Sequence, residues 1–97
     1  MEILPEDRIA THPGEILKEE FLAPVEITQT ALAHHLGIPL QRVNEIIRGK
    51  RGISPETAWL FSQALGTTPQ FWMNLQDASD LTSKRPERTI ERLIKAV

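Results

Sequence analysis

The chain has 97 residues, 40% of them hydrophobic and 25% charged, with a formal charge of −2 at pH 7 and no cysteine. That is one domain's worth of ordinary globular material, able to bury roughly 60–70% of its extended surface. The missing cysteine excludes a disulfide framework, a thiolate metal site and a cysteine nucleophile. No apolar run approaches the ~18 residues of a membrane span, and "MEILPEDR" lacks a signal peptide's basic flank and apolar stretch, so a cytoplasmic protein away from membranes is expected.

Helix signals follow one another in chain order. "THPGEILKEEFL" places Pro13 and Glu15 in a first turn and Ile16, Leu17 and Phe21 at helical spacing, with Pro24 as its end. "ITQTALAHHLG" offers Thr28 as N-cap, Leu32, Ala33 and Leu36 as an apolar stripe and Gly37 as stop. "LQRVNEIIRG" runs to Gly49 after Ile38 and Pro39. "ISPETAWLFSQALG" has Ser54 as N-cap and Gly66 as C-cap, and "TTPQFWMNLQDASDL" repeats that grammar with Thr68 and Pro69. Clean alternation is absent, so the chain reads as all-α: five short helices in one domain over residues 1–82, joined by connections of about two to six residues. Residues 83–97 read as a tail helix, with Ile90, Leu93, Ile94 and Val97 on one side. At about ten residues it is too short to stand alone and is expected to dock on its own domain, a second copy or another protein.

Charge is unevenly spread: −5 over residues 1–26, +3 over 39–52, −3 over 53–82 and +3 over 83–97. A basic patch in an acidic chain points weakly to nucleic acid, and on charge alone a solvated helix face is the better explanation. Geometry sharpens the choice. At 100° per residue, Leu40, Val43, Ile46 and Ile47 share the core side of the third helix. Gln41, Glu45 and Arg48 fall opposite, and Arg42 and Asn44 flank them. These side chains match base edges: Arg to guanine, Asn or Gln to adenine, Glu to cytosine. Lys50 and Arg51, in the exit loop, are placed to grip phosphate, with Arg48 adding affinity that carries no sequence information. Arg42 either reads guanine or clamps phosphate.

Two short helices joined by a tight glycine turn form a helix-turn-helix, whose second helix enters the major groove. Gln29, opening the first helix, is placed to donate to a phosphate; Ala33 allows a close crossing, and Gly37 admits the positive φ such a turn needs. Double-stranded DNA is therefore the expected partner.

"HPGEILKEEFL", "TQTALAHHLGIPLQRVNEIIRGKRGISPETA" and "LGTTPQFWMNLQ", within residues 12–81, resemble the HigA/VapI-type antitoxins of the Xre helix-turn-helix family. The resemblance implies a five-helix Xre/lambda-repressor-like domain that forms a homodimer on a palindromic operator in its own promoter. It also implies a partner toxin, a small basic RelE/HigB-like ribonuclease that cleaves mRNA; the antitoxin neutralises it and the pair represses the operon. A helix-turn-helix regulator with no toxin partner is the alternative, which a neighbouring reading frame for a small basic protein would decide. Two positions depart from the pattern. Pro39 stands where many relatives have a capping Ser or Thr, and Leu40 where a polar reader often lies. Leu40 either touches a thymine methyl or packs inward.

Catalysis is not expected, and neither is a cofactor or metal. His34 and His35 point about 100° apart on a helix and cannot form an i, i+4 metal pair. His12 stands alone, Ser54 is a cap, and Glu15, Glu19 and Glu20 form a solvated acidic face. Trp59, Phe61, Phe71 and Trp72 read chiefly as core, with one tryptophan available to an interface. Dimerisation is expected through residues 69–97. The acidic N-terminal segment (Glu2, Glu6, Asp7, Glu15, Glu19, Glu20) suits a basic toxin.

Overall fold

The computed structural model describes residues 8–94. Helix α1 begins as an α-helix over Pro13–Ile16, widens to π-helical spacing over Leu17–Leu22 and closes in a 3-10 turn over Ala23–Val25. Helices α2 (Gln29–Leu36), α3 (Leu40–Ile47), α4 (Pro55–Leu65) and α5 (Pro69–Ser83) follow, with no strand among the described residues.

The expected caps form. Thr28, Ser54 and Thr68 each accept, through the hydroxyl oxygen, the backbone N–H three residues on. Gly37 and Gly66 close α2 and α4 in the left-handed region, at φ 70° and 74°. Pro39 opens α3 without a side-chain cap.

Helix α1 differs from its expected form. Leu17 and Leu22 are both buried although five residues apart, a separation that regular α geometry would turn about 140° around the axis. The wider spacing returns them to one face, and the Ala23 N–H accordingly donates to the Lys18 carbonyl, five residues back. Pro24 does not end the segment: the tight last turn accommodates it, and the chain turns away at Glu26, whose φ of 56° is left-handed.

The core gathers Leu17, Leu22, Leu32, Ala33, Val43, Ile46, Ile53, Ala58, Phe61 and Trp72. Trp72 is its hub: the rings of Phe21, Phe61 and Phe71 have centroids 5.3, 5.2 and 5.1 Å from it, and its indole N–H donates to Thr67 Oγ1 at 2.7 Å. Trp59, on the outer side of α4, is instead 58% exposed. Leu40 is 47% exposed and so does not join the core side of α3, while Ile47 is half-buried.

The expected tail helix does not form over its described part. Residues 84–94 carry no helix, and Ile90, Leu93 and Ile94 stand exposed, Leu93 at 91%. A ten-residue amphipathic segment gains little from backbone hydrogen bonds alone, and here its apolar side meets no core. Val97 of that stripe lies outside the described residues. The radius of gyration, 16.2 Å, exceeds the ~13 Å of a compact domain of this length, as an outlying segment requires.

Candidate nucleic-acid interface

Helix α3 is oriented by what it buries. Val43 and Ile46, both 0% exposed, anchor one side between α1 and α2. That leaves Gln41, Arg42, Asn44 and Glu45 on the opposite side and flanks. Helix α1 approaches α3 closely at Gly14, where an added methyl group would overlap the Ile46 carbonyl oxygen. Just before it, His12 caps α1 with its ring, Nδ1 accepting the Gly14 N–H at 2.9 Å. Burial holds the His12 pKa below its ordinary value, against a smaller upward pull from Asp80.

The outward side chains form two linked sets. Gln29, at the start of α2, accepts through Oε1 from Asn44 Nδ2 at 3.1 Å, which leaves the Gln29 amide nitrogen as a donor. Glu45 accepts from Gln41 Nε2 at 3.3 Å through one oxygen. Its other oxygen receives Arg51 at 2.9 Å from Nε and 2.8 Å from Nη2. Those hydrogen bonds, Arg51's first, hold the Glu45 carboxyl below the usual carboxylate range. Arg42 lies 3.3 Å from Glu56 at the start of α4. Arg48 and Lys50 are exposed.

All eight sequence-selected residues therefore belong to α3, the opening of α2 or the loop after α3. Gln29 joins Asn44, and Gln41 and Arg51 join Glu45. Arg42 is turned to the side, toward the carboxylate of Glu56. Glu45 is a hub for neighbouring donors before it meets any base. His12, Gly14, Glu56 and Gln76 take part in this framework and were not selected from sequence. A glycine in the second position of a helix could have signalled a close backbone approach at Gly14. Glu56 and Gln76 act through partners 14 or more residues away, which local pattern does not show, whereas His12 caps a backbone N–H only two residues on.

The acidic side chains Glu15, Glu19 and Glu20 are exposed on α1, as expected; Glu2, Glu6 and Asp7 lie outside the described residues. His34 and His35 are exposed on α2. No helix of the described residues is long and apolar enough to cross a membrane.

Residues 17–72 match the helix-turn-helix family HTH_3. Virulence-associated protein I of Dichelobacter nodosus is 46% identical over 72 residues, covering 74% of this chain and 67% of the relative. Antitoxin HigA-1 of Vibrio cholerae is 44% identical over 72 residues, covering 74% and 68%. Among solved structures, Pseudomonas aeruginosa antitoxin HigA with the higBA promoter superposes with a TM-score of 0.80 at 41% identity, covering 87% of this chain and 98% of that one. Antitoxin GraA in complex with its operator gives 0.83 at 37% identity, covering 96% and 100%. With the α2–turn–α3 geometry, the outward polar side chains and these likenesses together, the chain belongs to the Xre-type helix-turn-helix family, in its HigA antitoxin branch.

Proposed function

We propose that the protein is a sequence-specific DNA-binding antitoxin that represses its own operon and neutralises a small basic RelE/HigB-like mRNA-cleaving toxin. The observation that carries this reading is α3: its apolar side is locked into the core while Gln41, Asn44 and Glu45 face outward beside Arg51. The promoter- and operator-bound forms of the HigA and GraA relatives support it. In this reading Gln41, Asn44 and Glu45 face base edges and Arg42 reads guanine or holds phosphate. Gln29, Arg48, Lys50 and Arg51 position the backbone.

Two copies would place their α3 helices in successive major grooves, about 34 Å apart, on a palindromic operator. Residues 1–82 act as the DNA-binding unit and 83–97 as a separate tail, with the homodimer contact drawn from residues 69–97. The exposed Glu15, Glu19 and Glu20 offer a basic toxin an acidic face. The work is binding, in the cytoplasm, with no catalytic step and no cofactor. A regulator without a toxin partner shares every feature of the DNA surface.

The test is a reporter fused to the chain's own upstream DNA, together with co-expression of the neighbouring reading frame. Repression by wild type and its loss in Arg42→Ala/Asn44→Ala support the repressor. Co-purification with a small basic protein whose toxicity the chain abolishes supports the antitoxin. Repression with no such neighbour would leave the regulator reading in its place.

A further inference from the structure

The loop between α3 and α4 carries Lys50 and Arg51, and its two halves are held differently. The first half folds back on α3, the Gly49 N–H donating to the Ile46 carbonyl at 3.0 Å and the Lys50 N–H to the Glu45 carbonyl at 2.8 Å. The second half is tied across the molecule. The Ile53 N–H donates to the side chain of Gln76 on α5, reaching Oε1 at 2.6 Å. Gln76 is buried, at 7% exposure, and its Nε2 donates to Asp80 Oδ1 at 2.9 Å. Gly52 completes the fit, since a Cβ there would lie 3.1 Å from three atoms of the Gln76 carboxamide.

These contacts fix the carboxamide in one orientation. Turned over, its NH2 would face the Ile53 N–H, donor against donor, and its oxygen would face the Asp80 carboxylate. At the buried Ile53 end that mismatch leaves two donors unsatisfied, and beside the partly exposed Asp80 it sets oxygen against oxygen, so both the amide's turning over and a slide of the backbone at Ile53 are opposed. Two residues before Ile53, Arg51 extends back to Glu45 on α3. Arg51 is thus placed from two directions, its guanidinium by Glu45 and the loop that carries it by Gln76, which holds the backbone at Ile53.

We infer that Gln76 is a positioning residue for DNA contact, acting through Arg51 although it lies on a different helix and is itself enclosed. The inference rests on the DNA-binding reading above. Gln76 sets where the loop crosses α5, the loop sets where Arg51 meets Glu45, and that placement decides whether Arg51 reaches the duplex beside α3. The side chain of Ile53 is separately anchored in the core, so the amide of Gln76 governs the path of the loop more than the packing of the domain.

The experiment is a double-mutant comparison on the upstream duplex: wild type, Gln76→Met, Arg51→Ala and the double variant. Binding is followed by fluorescence anisotropy at three salt concentrations, with thermal unfolding fixing the folded fraction. Gln76→Met is expected to weaken binding about tenfold. It should also flatten the salt dependence by about one counterion. Arg51→Ala should do the same, and the double variant should bind no more weakly than Arg51→Ala alone. Gly52→Ala disturbs the same contact from the exposed side of the loop, and it decides the matter in the same comparison if Gln76→Met fails to fold. Additive losses, or an unchanged salt dependence in folded Gln76→Met and Gly52→Ala, would overturn the inference while leaving the DNA reading intact. A wild-type protein that does not bind the upstream duplex would overturn both.

Discussion

At the scale of single residues, the tightest constraint is Gly14, whose missing side chain lets α1 rest on the backbone of α3 at Ile46. A methyl group cannot be accommodated there by rotating a side chain, because the obstacle is a carbonyl. Gly14→Ala should therefore cost at least about 1–3 kcal/mol, the range for overpacking, in a urea unfolding curve. An unchanged midpoint would mean that the helices separate more easily than the geometry implies.

Beside it, His12 gives a pH dependence of known sign. Its Nδ1 accepts the Gly14 N–H only when unprotonated, and burial keeps its folded pKa below the unfolded value. The unfolded chain thus takes up the proton first as pH falls. The contribution is whole above the unfolded pKa and is lost as pH drops through it toward the folded value. Losing a cap costs about 1 kcal/mol, or roughly 4–8 °C in Tm for a domain of this size. Melting followed from pH 8 to 5 should show that fall in wild type and a smaller one in His12→Asn, whose side chain can cap without titrating. The sequence made Thr28, Ser54 and Thr68 legible as caps, because a cap and its helix are neighbours in the chain. Gly14 and Gln76 were not legible, since each is defined by an element far along it.

At the scale of elements, α3 was read almost completely from its periodicity: Val43 and Ile46 inward, Gln41 and Glu45 outward. Its first turn was not. Leu40 sits at the exposed start of the helix, where the 100° rule assigns a direction but no neighbour is present to cover it. Its exposure keeps open a contact with a thymine methyl. Replacing Asn44 or Gln41 by Ala should cost roughly 1–3 kcal/mol on the operator and little on a scrambled duplex, measured by titration of both. Equal losses on both would make these side chains phosphate contacts.

Helix α1 shows the limit of a fixed period. Leu17 and Leu22 both needed burial, and the backbone changed its pitch to provide it. The tail shows the opposite failure, since its apolar period is correct but nothing in the described chain covers it. Ending the chain after Ser83 should leave helical content and Tm nearly unchanged for the isolated domain, by circular dichroism. A large drop would show that the tail contributes to the fold.

At the scale of the whole molecule, an acidic chain must present its cations selectively. Of the four in residues 39–52, Arg42 is paired with Glu56 and Arg51 with Glu45, leaving Arg48 and Lys50 outside those pairs. With Arg51 gripping phosphate while it holds Glu45, as the proposed function has it, and Arg42 turned aside, binding to scrambled DNA should release nearer three counterions than four per protomer, a slope of roughly −3 in log affinity against log salt. A slope near −4 would mean that DNA also draws Arg42 away from Glu56. Most of the architecture was legible because caps, glycines and apolar periods agree along the chain. The linked pairs were not, because a charge chooses its partner only after folding.

In the proposed function, α3 reads sequence. The most direct test of this is fluorescence anisotropy of the purified protein on its own upstream DNA and on a scrambled duplex, at two salt concentrations, repeated with Arg42→Ala/Asn44→Ala. Specific binding typically exceeds non-specific binding by about 10³-fold or more. At least a hundredfold preference for the upstream duplex, lost in the variant, is the predicted result. Equal, salt-sensitive binding to both duplexes would contradict it and reduce the basic patch to a phosphate grip.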